Sequence, residues 1–265
     1  MSPRSLSGMN ILVTGGGTGI GKACARRLVE DGASVTICGR TESSLAAVAD
    51  DIAGAELPGK IQWKLADVTV ESDVEAVIED AGGKGGVIHG VIANAGGGGM
   101  PMPYGQLDTD EFMRVLNLNV LGTVLCMKHS IPMMLKAEGG SFVGMSSLAG
   151  HITHPFFHAY CAGKAGIEAM MKNAADEYGA DNIRFNAIRP GFIATEMMDG
   201  IPRDSDVYAS YVENTPMGDV GQPDDVAELA RFLVGPESRW ITGQCINVDG
   251  GHSLRRGPNF ASFVG

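Results

Sequence analysis

The chain has 265 residues, a formal net charge of −11, 44% apolar residues and 19% charged residues. This length is enough for one large domain with a sizeable core, and the composition is that of a globular enzyme rather than a disordered or fibrous protein. The negative charge disfavours nucleic acid and anionic membranes as partners.

Two further features concern the compartment in which the protein works. No apolar run reaches the roughly 18 residues of a membrane-spanning helix, and residues 1–8 lack the apolar core of a signal peptide. The five cysteines are odd in number and scattered, which favours free thiols over disulfides or a metal cluster. We therefore expect a cytoplasmic protein without a transmembrane helix.

The first predicted strand, 10–14, runs directly into the glycine-rich segment 15–21, and a helix over 22–31 follows. Strand, glycine turn and helix in this order are the context of a dinucleotide-binding loop. Glycines let the backbone approach a pyrophosphate, and the helix start offers free N–H groups. The spacing Gly15-x-x-x-Gly19-x-Gly21 departs from the common G-x-G-x-x-G, so a plain glycine-rich turn is the alternative.

The second predicted strand, 35–38, is followed by Gly39 and Arg40. An acidic residue near this position binds the ribose hydroxyls of NAD, whereas an arginine can meet the 2′-phosphate of NADP. Because the carboxylate is missing and Arg40 is present, we expect NADP in preference to NAD. The alternative is that Arg40 is a solvated residue at a helix start.

The rest of the chain continues the alternation of helices and strands. The apolar patterns predict further strands over 61–67, 87–93, 142–145, 183–188 and 245–248, and further helices over 43–52, 70–81, 108–116, 119–136 and 223–234, with one more helix after Pro155. The segment 192–219 has no clear period and is long for a connection, which predicts a lid over the substrate.

This alternation predicts a parallel sheet with helices on both faces. No repeat or linker divides residues 1–265, so we predict a single α/β domain, Rossmann-like and doubly wound. Ligands bind such sheets beyond the carboxyl ends of the strands. The residues that follow the predicted strand ends, and therefore converge on one rim, are Gly15, Arg40, Asp67, Asn94, Ser147, Pro190 and Gly191.

Tyr160 and Lys164 form a candidate proton-transfer pair, because residues four apart share one face of a helix. A neighbouring ammonium lowers the pKa of a tyrosine from its ordinary value of about 10. A hydroxyl at the preceding strand end, from Ser146 or Ser147, can hold a carbonyl oxygen nearby. An ordinary helix pair is the alternative, since this spacing also arises by chance.

Taken together, the motifs resemble the short-chain dehydrogenase/reductase family over about residues 6–251, and especially its ketoreductase-like members, such as 3-oxoacyl carrier-protein reductases and hydroxysteroid dehydrogenases. The matching motifs are Thr14-Gly15-x-x-x-Gly19-x-Gly21, Asp67-Val68, Asn94-Ala95-Gly96, Asn119 with Gly122, Ser147, Tyr160-x-x-x-Lys164, and Pro190-Gly191 with Thr195. Each motif alone is weak, but their order along the chain makes the match specific.

The resemblance implies a seven-stranded sheet and the catalytic set Asn119, Ser147, Tyr160 and Lys164. Tyr160 would exchange a proton with the substrate oxygen, and Lys164 would lower the pKa of Tyr160 and hold the nicotinamide ribose. Ser147 would bind the substrate oxygen, and Asn119 would fix a water between Lys164 and solvent. Ser146 is a rival for Ser147, but a spacing of thirteen residues before Tyr160 favours Ser147.

The same resemblance implies a nicotinamide cofactor, NADP or NAD. Asp67 would contact the adenine, Asn94 would shape the floor of the site, and Thr195 would contact the nicotinamide amide. Many NADP-using relatives have a basic residue at the position of Thr18, so NAD stays open. The full expected set is Gly15, Gly17, Thr18, Gly19, Ile20, Gly21, Arg40, Asp67, Val68, Asn94, Ala95, Gly96, Tyr160, Lys164, Pro190, Gly191, Ile193 and Thr195.

The predicted function is hydride transfer between nicotinamide and a carbonyl/secondary alcohol pair. Apolar residues of the loops and lid favour a hydrophobic ketone or 3-oxoacyl-type substrate, with packing of the lid on the body as the alternative. These residues are Met100, Met102, Phe156, Phe157, Met197, Met198, Ile201, Tyr208, Tyr211 and Met217. Two rival functions are a non-catalytic cofactor-binding regulator or scaffold and an enoyl-thioester reductase.

Two expectations concern the remaining features. The histidines His151, His154 and His158 lack an accompanying carboxylate or thiol set, so we expect no metal and expect them to line the mouth of the site or to bond to loop backbone. Family members resemble one another in forming homotetramers, and the C-terminal tail 252–265 is a segment that often meets a neighbouring subunit.

Overall fold

Seven strands and eight α-helices alternate along the part of the chain that the computed structural model describes, residues 5–255 and 262. The strands are β1 Asn10–Thr14, β2 Ser34–Gly39, β3 Lys60–Leu65, β4 Gly90–Ala93, β5 Gly140–Met145, β6 Ile183–Pro190 and β7 Cys245–Val248. The helices are α1 Gly19–Glu30, α2 Glu42–Ala53, α3 Glu71–Gly82, α4 Thr109–Leu116, α5 Gly122–Lys136, α6 His158–Tyr178, α7 Asp206–Asn214 and α8 Pro223–Val234.

The strands form one parallel sheet in the order β3-β2-β1-β4-β5-β6-β7. The chain winds outward from β1 to β3 and then returns to place β4 on the other side of β1. The order of the strands therefore reverses between β1 and β4, which is where ligands bind in doubly wound sheets. The predicted seven-stranded, Rossmann-like sheet is confirmed.

Alternation of side chains along the strands divides the interior into two cores. In β1, Ile11 and Val13 face a core that contains α1, α2 and α8, whereas Leu12 faces a second core that contains α3, α5 and α6. Both cores consist mainly of aliphatic residues that are almost completely buried, and the second also contains Phe142 and Phe185. The strands are apolar on both faces because each face is covered by helices.

Two predicted helices, 108–116 and 119–136, are parts of one continuous helix. A π-helical turn, Asn117–Leu121, joins α4 to α5. By length and composition alone, the helix Thr109–Lys136 could span a membrane, with a mean hydropathy of 1.2 over 18 residues, 39% of which are buried. No uninterrupted apolar run in the sequence marks this helix as a candidate membrane span. Its residues Leu125 and Met134 pack in the second core, as in a core helix of a globular protein.

The segment 192–219, predicted to lack regular structure, contains the helix α7 and a short 3₁₀ turn at Glu196–Gly200. Val207 and Tyr211 are the buried residues of α7. A single pair of residues four apart is too short a pattern to predict a helix. Of the predicted tail, residues 256–261 and 263–265 lie outside the described residues, and His252–Leu254 form a 3₁₀ turn.

Leu12 and Leu254 provide a matched test of the packing. Leu12 lies on the face of β1 that packs in the second core and is fully buried, whereas Leu254 is 81% exposed. We predict that Leu12→Ala lowers the free energy of unfolding by about 2–5 kcal/mol through lost burial and a residual cavity. Leu254→Ala should change it by less than about 0.5 kcal/mol. Urea denaturation measures both, and equal losses would contradict the assigned sheet faces.

Candidate active site

The glycine loop between β1 and α1 leaves no room for a side chain at Gly21. A Cβ at this position would lie 2.1 Å from the carbonyl oxygen of Gly15. Nδ2 of Asn94 donates to the carbonyls of Thr14 and Gly15 over 3.0 and 3.2 Å. Asn94 therefore holds the loop from the end of β4, and this support gives the loop its shape at the start of α1.

A cleft of about 220 Å³ opens beside this loop, at the ends of β1 to β4. The predicted residues that line it are Gly15, Gly17, Thr18, Arg40, Asp67, Val68, Ala95 and Gly96. Ser44, Leu45 and Leu118 also line it and were not predicted, because they come from helices that meet the cleft only in the folded chain. Of the residues expected to converge on one rim, Gly15, Arg40 and Asp67 line this cleft, and Asn94 supports the loop beside it.

Asp67 and Arg40 interact electrostatically across the cleft. Burial of Asp67 opposes its ionisation, but hydrogen bonds from Thr69 and the charge of Arg40 outweigh this effect. The pKa of the Asp67 carboxyl therefore lies below its ordinary value, and the group is ionised at neutral pH. The Arg40 side chain is exposed, so it is free to meet an anion at the mouth of the cleft.

Thr195 closes over the start of α1. A Cβ at Gly19 would lie 3.0 Å from Cγ2 of Thr195. Two backbone contacts hold the segment that leads to Thr195. The N–H of Gly191, just after β6, donates to the carbonyl of Val248 over 2.9 Å, and Ile193 forms a parallel bridge with Gly221. Pro190 is the last residue of β6, and Ile20 packs against the first core.

A larger cavity of about 770 Å³ lies between α1, the start of α8 and the lid. Gly19 and Thr195 belong to its lining, but Ser147, Tyr160 and Lys164 do not. The two cavities thus meet at the glycine loop, and the larger one is not where the candidate proton-transfer residues lie.

Lys164 and Tyr160 lie together behind the end of β5. Nζ of Lys164 is 5.5 Å from the centroid of the Tyr160 ring and donates to the carbonyl oxygen of Met145 over 2.7 Å. Burial raises the pKa of Tyr160 above its ordinary value, and a hydrogen bond with the Ser147 hydroxyl acts in the opposite direction. Burial of the phenol dominates the net shift, and the lowering of this pKa by Lys164 stays a prediction.

Asn119 occupies the π-helical turn and is fully buried. Its Nδ2 donates to the carbonyls of Val115 and Gly97 over 2.8 and 2.9 Å. A Cβ at Gly96 would lie 2.7 Å from Oδ1 of Asn119 and 3.0 Å from Nζ of Lys164. The irregular turn therefore brings the Asn119 amide and the Lys164 ammonium to the same point at the end of β4.

The two serines after β5 face different partners. Oγ of Ser147 accepts a hydrogen bond from the N–H of Ala149 over 3.2 Å, and its hydroxyl interacts with Tyr160. Ser146 is buried, and its hydroxyl faces the carbonyl oxygen of Lys164 at 3.0 Å. The geometry agrees with the choice of Ser147, since Ser146 points into the packing between β5 and α6.

The apolar residues of the lid meet the loop after β5 in a third cluster, which we call the lid cluster. It consists of Phe192, Val207 and Tyr211, with Phe156, Phe157, Met198, Ile201, Tyr208 and Val220 packed against them. Phe157 lies edge-on to Tyr160, with ring centroids 6.4 Å apart. Met100 and Met217, predicted to join this surface, are exposed instead. The Met197 side chain lies outside the described part of the structure.

The three histidines of this loop have separate environments. His151 is exposed, His154 is buried beside Tyr211, and His158 is buried beside Tyr104. Burial lowers the pKa of His154 to about 4, so it is neutral at pH 7. Within residues 5–255 and 262, no group of three His, Cys, Asp or Glu side chains is placed to hold a metal, and all five cysteines are free.

The buried ammonium of Lys164 generates a prediction about stability. Burial lowers the pKa of Lys164 from 10.5 to about 8. Between these two pH values the unfolded chain binds more protons than the folded chain, so the free energy of unfolding rises with pH across this window. The destabilisation caused by burying this ammonium is therefore greatest below pH 8. A difference of about 2.5 pKa units corresponds to roughly 3 kcal/mol.

We predict that Lys164→Met raises the free energy of unfolding at pH 7 by about 1–3 kcal/mol, the lost bond to Met145 offsetting part of the gain. The advantage over the unsubstituted chain should shrink as the pH approaches 10. Lys172→Met, on the exposed side of α6, is the control and should show no such gain. Urea denaturation at both pH values measures the effect, and a Lys164→Met protein less stable at pH 7 would contradict it.

Known proteins resemble this chain over most of its length. A family model described as enoyl-(acyl carrier protein) reductase matches residues 15–253. The chain is 35% identical to cis-4-hydroxycyclohexanecarboxylate dehydrogenase of Sinomonas cyclohexanicum, over 91% of this chain and 95% of the relative. It is 33% identical to the 3-oxoacyl-[acyl-carrier-protein] reductase FabG of Thermotoga maritima, over 93% and 98% of the two chains.

A solved short-chain type dehydrogenase/reductase from Mycobacterium ulcerans has the same fold, with a TM-score of 0.94 and 40% identity over 98% of this chain and 94% of that one. These relatives are named dehydrogenases and reductases, and they match nearly the whole length of this chain. The chain therefore belongs to the short-chain dehydrogenase/reductase family of NAD(P)-binding oxidoreductases.

Proposed function

We propose that the chain interconverts an apolar ketone and the corresponding secondary alcohol, with Tyr160 as the acid/base. The observation that carries this proposal is the convergence of the Tyr160 phenol, the Ser147 hydroxyl and the Lys164 ammonium behind the end of β5, next to the lid cluster. A proton donor, a second hydroxyl and a fixed positive charge are the groups that carbonyl reduction requires.

The residues at the rim fit a nicotinamide dinucleotide. The close approach at Gly21 and the free start of α1 suit a pyrophosphate, and the cleft between Asp67 and Arg40 suits the adenosine part. Bound there, the nicotinamide supplies or accepts the hydride. Thr195, above the start of α1, and Gly191, at the end of β6, are the residues we assign to the nicotinamide end.

The protonation state of Tyr160 favours the reductive direction. Because burial raises its pKa, the phenol carries its proton at neutral pH and can give it to the carbonyl oxygen. Ser147 holds the same oxygen, and the ammonium of Lys164 stabilises the phenolate that remains. Asn119, beside Lys164, is the residue we assign to proton exchange with solvent through a water.

The lid cluster supports an uncharged, apolar substrate. Its described members are aromatic or aliphatic, and none is a lysine or arginine. The two named relatives act on a hydroxycyclohexanecarboxylate and a 3-oxoacyl carrier protein, both as secondary alcohol/ketone pairs. We assign this chain the same chemistry on a cyclic or bulky ketone without a carboxylate, because the cluster offers no cation to pair with one.

The homotetramer expected from the family stays a prediction. Support comes from the long helix, whose outer side exposes the apolar residues Met113, Leu121 and Val124. Such a row suits packing against the same helix of a second copy. The cytoplasmic location and the single-domain organisation also stay predictions.

The role of Arg40 in selecting NADPH over NADH can be tested by substitution. If it pairs with a 2′-phosphate, fluorescence titration should show tighter binding of NADPH than of NADH, and Arg40→Ala should weaken NADPH binding by about tenfold. Arg239→Ala removes the same charge from an exposed position elsewhere and should leave both affinities unchanged. Tighter NADH binding by the unsubstituted protein would show that Arg40 does not select the cofactor.

The role of Tyr160 as the proton donor can be tested by substitution. On a panel of cyclic ketones with the preferred cofactor, Tyr160→Phe should lower kcat by about 10²–10⁴-fold, because the proton donor is removed, while cofactor affinity changes little. Tyr178→Phe, at the end of the same helix, is the control and should retain kcat.

The same panel separates the two rival functions. The family model is described as an enoyl reductase, so an enoyl thioester belongs on the panel. Turnover of that compound alone would assign the chain to the enoyl-thioester reductases. Tight cofactor binding with no turnover of any compound would favour a regulator or scaffold.

A further inference from the structure

A buried ion pair that the proposed reaction does not use lies one helical turn beyond Lys164. Arg189, in β6, makes two hydrogen bonds to the carboxylate of Glu168, in α6, and Nε reaches Oε1 over 2.6 Å. The Glu168 side chain is 7% exposed and that of Arg189 is 12% exposed. Both charges are therefore removed from water and held in a two-pronged, planar geometry.

Ser146 connects this pair to the end of β5. Its Oγ lies 2.9 Å from Oε1 of Glu168 and 3.0 Å from the carbonyl oxygen of Lys164. Ser146 directly precedes Ser147, and Met145, the residue before it, accepts the hydrogen bond from Nζ of Lys164. The network therefore joins the strand end that carries Ser147 to the helix that carries Lys164.

Arg189 connects the network to a third element. It directly precedes Pro190 and Gly191, where β6 ends and the chain turns toward Thr195. On its other side, Nη1 of Arg189 lies 3.5 Å from Oδ1 of Asn247 in β7. The ion pair thus joins α6, which carries Tyr160 and Lys164, to β6, which leads to the assigned nicotinamide contacts, and it reaches the end of β5 with Ser147 through Ser146.

Stability alone does not account for this arrangement. Desolvation of two charges cancels most of the attraction between them, so a buried pair is often no more stabilising than well-packed apolar residues. A bidentate arginine–carboxylate pair does restrict distance and orientation more tightly than apolar packing. Such a restriction controls the relative placement of β5, α6 and β6.

We propose that Glu168 and Arg189 are positioning residues that set the distance between Ser147, on β5, and the Tyr160–Lys164 pair, on α6. This inference rests on the proposed function of those three residues. The pair acts through Ser146 and the backbone, and does not itself touch the reacting atoms. Loss of the pair leaves the three groups present but misplaced, which lowers the rate of the chemical step more than it weakens substrate binding.

The test compares this pair with a buried ion pair elsewhere in the chain. Arg231 of α8 is 5% exposed and pairs with Asp31 and Glu237, away from Ser147 and Tyr160. We expect Glu168→Gln and Arg189→Lys each to lower kcat by at least about tenfold with the substrate KM changed less than about threefold. Arg231→Lys should reduce thermal stability comparably while retaining kcat.

Retained kcat in folded Glu168→Gln and Arg189→Lys proteins would overturn the proposal. So would an equal loss of kcat in Arg231→Lys, since the effect would then follow stability. Ser146→Ala tests the connection with a smaller change, in case the charged variants fold poorly, and should lower kcat with KM conserved. Retained kcat in this variant would also overturn the proposal, because the pair is inferred to act through Ser146.

A cofactor titration separates this inference from the proposed reaction. Because Lys164 is assigned to the nicotinamide ribose, Glu168→Gln should weaken NAD(P)H binding about fivefold to tenfold, and Arg231→Lys should not. If the unsubstituted protein binds cofactor but turns over no ketone, the proposed reaction fails and this titration still tests the positioning. Unchanged affinity in Glu168→Gln would then overturn it.

Discussion

The ammonium of Lys164, buried behind the end of β5, is the constraint on which the rest of the site depends. A charge at such a position is costly, and the cost appears as the lowered pKa of the side chain. Among the described residues, the carbonyl of Met145 accepts its hydrogen bond, the ring of Tyr160 lies beside it, and the side chain of Asn119 approaches the same glycine, Gly96. Each comes from a different element, so β5, α6 and the π-helical turn must meet within a narrow tolerance.

The surrounding irregularities follow from this requirement. The π-helical turn contains Asn119, whose side-chain Nδ2 donates to the carbonyls of Gly97 and Val115. Gly96 must lack a side chain because two polar atoms approach its Cα. Such features reduce stability locally, and the two aliphatic cores on either side of the sheet supply the free energy that tolerates them.

The substrate side is built differently from the cofactor side. The residues proposed to contact the cofactor lie mainly at strand ends and offer backbone and short side chains, which are rigid because the sheet holds them. The lid cluster instead consists of large side chains from α7 and two loops, packed mainly on one another. On the proposed function, changes in that cluster should alter substrate choice without disturbing the sheet, in line with the different compounds in the relatives' names, a hydroxycyclohexanecarboxylate and a 3-oxoacyl carrier protein.

The sequence by itself determined the order of the strands and of the helices other than α7, the glycine loop, and the Tyr160–Lys164 spacing, because periodicity and short spacings express these features locally. Tertiary structure decided the π-helical turn, the different partners of Ser146 and Ser147, the raised pKa of Tyr160 and the pairing of Glu168 with Arg189. These depend on burial and on contacts between elements distant in the chain. The spacing of Glu168 four residues after Lys164 was visible, but its partner on β6 could be identified only once the sheet brought the two together.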